Sequence, residues 1–219
     1  MQSTSDIVEG MTSVRTARTT TPAPSQSGAA QLQDRAIADL QFIRQTMATA
    51  TAFTALSGVA FMVIGMGALV TGVVAQRLGD PLLQVLAWTA DAALSVCLST
   101  AFSIRKARCA GQSLISSAFR KFLAGLVPAI FAGAVLTALV VRSEAYELLP
   151  PLWLLLYGCG LVAAGSFSIA VVPLMGASFL VLGAVSAVAP AAWGGTLLVL
   201  GFAGLHCGFG WVIARRHGG

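Results

Sequence analysis

Past residue 30 the chain is a succession of long apolar runs broken by short polar ones, and the length of each run decides what it forms. The runs cover about residues 50–75, 82–104, 122–141, 149–165, 172–189 and 196–214. A helix rises about 1.5 Å per residue and needs roughly 20 apolar residues to cross the hydrocarbon layer. Each run is therefore predicted to be one transmembrane helix, which makes the chain an all-α polytopic membrane protein of six spans.

The breaks set the connections. Only Gln-Arg-Leu-Gly-Asp-Pro, residues 76–81, separates the first two runs, so they form a tight antiparallel hairpin. From Leu148 to Pro190 there is no charged residue at all. One helix of that length would measure roughly 65 Å, about twice the hydrocarbon thickness, so the stretch must hold two spans. The turn is placed between Gly165 and Val172, where Gly-Ser-Phe-Ser offers turn chemistry and Pro173 suits the first position of a new helix.

Two shorter patterns flank the spans. Leu32, Ile37, Leu40, Ile43 and Met47 recur at helical spacing while Asp34, Arg35, Asp39 and Arg44 fill other positions, predicting an amphipathic helix over 31–48 that lies on the membrane surface. Leu114, Ile115, Ala118 and Phe119, with basic residues on either side, predict a second, short interfacial helix. Residues 1–30 are Ser, Thr, Pro, Gln and Gly with little to bury, and are expected to be a disordered cytoplasmic tail. That tail has Arg15 and Arg18 but no apolar core, and it carries Asp6 and Glu9, which argues against a signal or transit peptide.

Composition agrees with lipid as the main solvent. Mean hydropathy is +0.84 and charged residues are 10%, against about a quarter in soluble domains. The net charge of +5 does not point to nucleic acid, because the basic residues sit in the gaps between apolar runs. With six spans, every Lys and Arg falls on one side except Arg77 and Arg142. The excess of basic residues marks the cytoplasmic side, so both termini are expected inside, including the basic end at 215–219. Arg105, Lys106, Arg108, Arg120 and Lys121 are predicted to contact lipid headgroups, each contributing about 1 kcal/mol of attraction to anionic lipid. Cys97, Cys109, Cys159 and Cys207 form no C-x-x-C pair and read as reduced packing residues, with no metal site and no cofactor implied.

A few positions inside the spans stand out. Asp91 lies about 13 Å into the second span, close to the midplane, where an ionised carboxylate costs on the order of 2.5–3.5 kcal/mol. Gln84, Trp88, Asp91, Ser95 and Ser99 recur every three or four residues and share one helix face. That face is either a polar track for a proton or small solute, or a set of hydrogen bonds between helices. His206, in the sixth span, falls at nearly the same depth as Asp91, and the two are expected to pair if their helices are neighbours. Gly201, Gly204 and Gly208 follow helical spacing, Gly204 and Gly208 as G-x-x-x-G, and are predicted to pack helices closely, within the bundle or between copies. The first span carries Gly58, Phe61, Val63 and Gly65, and the fifth carries Gly176, Phe179, Val181 and Gly183 at identical spacing, which suggests an internal repeat.

Catalytic signatures are few. Paired carboxylates, a Walker loop and zinc-ligand spacing do not occur, and one intramembrane histidine is too few for bis-histidine haem ligation. Ser178 and His206 are the residue types of an intramembrane serine protease, but Ser178 lies near the cytoplasmic start of its span and His206 at mid-depth.

Several stretches, namely F-I-R-Q-T-M from Phe42, R-K-F-L-A-G-L-V-P-A-I-F-A-G-A-V-L-T from Arg120, L-W-L-L-L-Y-G from Leu152 and the C-terminal G-F-A-G-L-H-C-G-F-G-W-V-I-A-R-R-H-G-G, together resemble a family of bacterial six-span multi-pass membrane proteins without an established activity. The last hairpin, with Gly176, Gly183, Pro190, Gly201 and Gly208, looks like the hairpin unit of the acid-resistance membrane family HdeD. These resemblances imply a topology and a bacterial cytoplasmic membrane, and no chemistry. The expectation is a non-enzymatic structural or regulatory membrane subunit, with the bilayer and a membrane protein or second copy as partners. The alternative is a small-solute or proton-coupled transporter using Asp91, and an intramembrane enzyme is more remote.

Overall fold

The computed structural model describes residues 31, 33–43, 56–109 and 117–217. The chain divides into two compact units, Met1–Thr46 and Met47–Gly219. In the first, residues 33–43 form helix α1, with Ile37, Leu40, Phe42 and Ile43 exposed on it. The tail over 1–30, the rest of the predicted amphipathic helix and the start of the first apolar run lie outside the described residues.

The second unit contains six helices long and apolar enough to cross a membrane: Gly58–Ala75, Pro81–Lys106, Ser117–Arg142, Tyr146–Gly165, Val171–Val188 and Ala191–Arg216. No β-strand occurs among the described residues. The helices are α2 (Gly58–Ala75), α3 (Pro81–Cys109), α4 (Ser117–Arg142), α5 (Leu149–Gly165) and α6 (Val171–Val188). The last crossing is composite, with α7 (Gly194–Val199) joined to α8 (His206–His217) through a π turn at Leu200–Leu205.

Local chemistry fixes the ends. The Ser57 hydroxyl accepts the Ala60 N–H at 3.3 Å, which caps α2 within the first apolar run. The Asp80 carboxylate accepts the Leu82 N–H at 2.8 Å and Pro81 opens α3. Pro150 and Pro151 occupy the first turn of α5, where a missing N–H costs nothing. The turn between α5 and α6 falls where the sequence puts it. A Cβ on Gly165 would lie 2.6 Å from Pro173 Cδ, so the chain reverses there only with glycine. Pro173 takes the third position of α6, not the first.

One predicted element is corrected. Ala118, Phe119, Arg120 and Lys121 are the opening turns of α4 and not a separate interfacial helix. Ala118 and Phe122 are buried in the core, and that burial turns the segment inward. Residues 110–116, with Leu114 and Ile115, lie outside the described residues.

Two helix pairs make the core. α2 packs on the last crossing and on α3, while α5 packs on α6 and α4. The repeat in sequence is repeated in use. Gly58 abuts the backbone of Gly210 and Ala214, and Gly65 that of Ala203 and Cys207. Gly176 abuts Gly158 and Val162 in the same way, and Gly183 abuts Leu155. Both α2 and α6 therefore bring a glycine face against a partner backbone, closer than any side chain allows. Phe179, Leu154, Leu161, Met175, Ile213 and Val172 are fully buried between the pairs. α3 and α4 flank the core with 11% of their apolar windows buried, against 39% for the first, fourth and sixth crossings. Their outer faces, with Leu94, Val96, Val127, Phe131 and Leu139, are open to lipid or to a partner.

Candidate functional site

His206 lies where the π turn ends, and its backbone N–H donates to the Ala203 carbonyl. A π turn inserts a residue into the helical register, so the side chain after it leaves the face that a regular helix would give it. Here it enters the centre of the bundle, where His206 is 2% exposed. Phe61 of α2 stacks on the imidazole at 5.7 Å between centroids, and Phe202 stacks at 6.1 Å. Phe179 of α6 meets it edge-on at 5.5 Å. Phe61 and Phe179 are the equivalent residues of the two glycine motifs, so the repeat builds two of the four walls of the histidine site.

The fourth wall is polar. The Tyr157 hydroxyl of α5 lies 2.9 Å from His206 Nε2, and Tyr157 packs against Phe179 at 4.9 Å and Phe202 at 5.3 Å. On the other side of the ring, Nδ1 is buried without a hydrogen-bond partner among the described residues. The Tyr157 hydroxyl donates to Nε2 or accepts from it according to which ring nitrogen carries the proton.

Asp91 and His206 are not partners, and the predicted pairing is corrected. Thr71 of α2 lies beside the Asp91 carboxyl group, and the Asp91 Oδ1 lies 3.2 Å from where a Gly67 Cβ would be. α3 reaches the last crossing through Trp88 and Phe202, 6.0 Å apart, not through Asp91. Equal depth along two helices says nothing of their angular facing, and α3 turns Asp91 toward α2.

Gln84, Trp88, Asp91, Ser95 and Ser99 do share the inward side of α3, all buried or half-buried beside exposed neighbours such as Leu86, Leu94 and Val96. They do not form one track, because the buried Trp88 indole separates Gln84 from Asp91. Of the three predicted packing glycines, Gly201 packs, with Leu154, Leu182 and Phe179 against it. Gly204 and Gly208 do not pack within the bundle. They face outward, a Cβ on Gly208 would meet nothing within 4 Å, and Gly210 takes the close contact with Gly58.

At the basic end Arg105, Arg108, Arg120 and Lys121 are exposed. The Lys106 ammonium donates to the Leu56 carbonyl at 2.9 Å and ties α3 to the start of α2. Lys121 also lies over the Phe167 ring at 5.7 Å. All four cysteines are free thiols. Cys97, Cys109 and Cys159 are exposed rather than packed, while Cys207 donates weakly to the Met62 carbonyl at 3.7 Å.

The sequence did not announce a cavity of about 90 Å³ at the opposite end of the bundle. It is lined by Gln76, Gln84, Trp88, Tyr146, Trp153 and Gly195, among others, from the three turns that join the crossings in pairs. The Gln84 side-chain N–H donates to the Leu78 carbonyl at 2.8 Å, and the Trp153 indole N–H to Thr137 Oγ1 at 2.8 Å. Trp88 forms the link from this cavity to Phe202 and the His206 site. The hint available in sequence was aromatic and amide residues gathered at span ends, which also mark any membrane interface.

Ser178, the other residue of the protease reading, is half-buried and donates to the Leu174 carbonyl of its own helix at 3.0 Å, whereas Phe179 beside it faces His206. No model of a known protein family, no curated protein and no solved structure matches the chain.

Proposed function

We propose that this chain is a non-enzymatic integral protein of the cytoplasmic membrane of a bacterium, acting as a structural or regulatory subunit, with both termini in the cytoplasm. The observation that carries the reading is the closed centre of the bundle. A transporter needs polar groups around a solvated midplane site. Here the midplane histidine is enclosed by Phe61, Phe179, Phe202 and Tyr157, and Asp91 is turned sideways toward Thr71 and Gly67 of α2. The lightly packed flanks α3 and α4 supply the surface for a partner in the membrane.

Affinity purification in mild detergent, with a photo-crosslinking residue at Leu94 or Phe131, tests the reading. The expected result is a stoichiometric membrane protein crosslinked from these outer faces. A monodisperse, partner-free protein that moves a solute or protons across liposomes at a rate abolished by Asp91→Asn would overturn it in favour of transport.

A further inference from the structure

We propose that the cavity between the turns at the non-basic end is a binding site for a small organic cation of the quaternary ammonium class, the group carried by choline. Three aromatic side chains, Trp88, Tyr146 and Trp153, contribute to its wall. Aromatic faces are negative, and a cluster of them recognises alkylated ammonium groups, which lose little hydration on entering. Part of the wall's donor capacity is already spent. Gln84 uses one of its two amide N–H groups on Leu78 and Trp153 its indole N–H on Thr137, which leaves fewer donors to oppose a cation.

Charge at the rim points the same way. Asp80 precedes the lining residue Pro81, and Glu147 follows Tyr146. With Glu144 these make three exposed carboxylates in the two turns, against Arg77 and Arg142. The opposite end of the same helices carries Arg105, Lys106, Arg108, Arg120, Lys121, Arg215 and Arg216, so a cation approaching the molecule is steered to the cavity end. Size limits the ligand. One water needs about 10–15 Å³ of such volume, so about 90 Å³ takes a small head group and not an acyl chain. A free solute and a choline lipid headgroup present the same group to the site.

The test uses the full chain in a maltoside detergent, with Trp193→Phe and Trp211→Phe leaving Trp88 and Trp153 as the emitting indoles. Choline should change the emission saturably and raise the unfolding temperature. The uncharged isostere 3,3-dimethylbutan-1-ol should bind at least tenfold more weakly. Gly195→Leu should abolish the response without unfolding the protein, because a Cβ at Gly195 meets nothing nearer than Gln76 Cγ at 3.9 Å. Should that variant fail to fold, the comparison of choline with its isostere on the parent protein still decides. Nanodiscs separate the sources. A response already saturated in phosphatidylcholine but intact in phosphatidylglycerol identifies a lipid headgroup, and equal responses in both identify a free solute. Absence of a saturable response to choline, or equal binding of the alcohol, overturns the proposal.

Discussion

The Tyr157 hydroxyl lies 2.9 Å from His206 Nε2 at the centre of a bundle otherwise closed by hydrocarbon and aromatic rings. The Tyr157 hydroxyl and His206 Nε2 satisfy each other. Removing one partner leaves the other as an unpaired polar group, which costs about 1–3 kcal/mol. Tyr157→Phe and His206→Phe are each expected to destabilise the protein by about that amount. The double variant should lose less than the sum, since it leaves no orphan. Unfolding in detergent, followed for all four members of the cycle, checks this, and strictly additive losses would show that the pair is not coupled.

Asp91 belongs to a different contact. Its carboxyl group lies beside Thr71 on α2, whereas the His206 Nε2 partner is Tyr157. Polar contacts between membrane helices contribute about 0.6 kcal/mol on average. Asp91→Asn and Thr71→Val should therefore be mild and should couple to each other. Asp91→Asn with His206→Phe should be additive to within about 0.5 kcal/mol. A larger coupling between Asp91 and His206 would contradict the arrangement described here.

What the sequence made legible, and what it did not, follows from which property each feature depends on. The six crossings depend on apolar length alone, and the turn at Gly165–Pro173 on turn residues in an uncharged run too long for one helix. The importance of Asp91 and His206 was legible from the cost of polar groups in lipid. Their partners were not, because facing depends on rotation about each helix axis. A π turn at Leu200–Leu205 changes that rotation by inserting a residue, and no residue type marks it. The glycines show the same limit. Gly58 and Gly176 share a motif and a role, whereas Gly204 and Gly208 match a packing motif yet face outward.

The side of each turn follows from the basic residues and is open to measurement. In a background without the native cysteines, single cysteines at Gly79 and Glu144 should label from outside, and those at Arg105 and Gly219 only after the membrane is opened. Neutralising Arg105, Lys106, Arg108, Arg120 and Lys121 together should produce a mixed orientation, because an excess of basic residues favours the cytoplasmic side. Uniform, unchanged orientation in the neutralised variant would show that another signal sets it.

The glycine contacts give a prediction with an internal control. A Cβ on Gly58 would run into the backbone of Ala214 and Gly210, and one on Gly176 would lie 2.8 Å from the Val162 nitrogen and 2.9 Å from the Gly158 oxygen. Backbone atoms in a packed helix pair do not move aside as side-chain ends do, so the helices must separate. Overpacking of this sort costs about 1–3 kcal/mol. Gly58→Ala and Gly176→Ala are expected to destabilise by that amount, and to similar extents, because the two motifs are used alike. Gly208→Ala meets open space, and alanine is the better helix former by about 0.8–1.0 kcal/mol, so it should be neutral or mildly stabilising. Unfolding of the three variants in one detergent decides the matter. Were Gly208→Ala as damaging as Gly58→Ala, the outward face of the last crossing would have to be an interface in its own right.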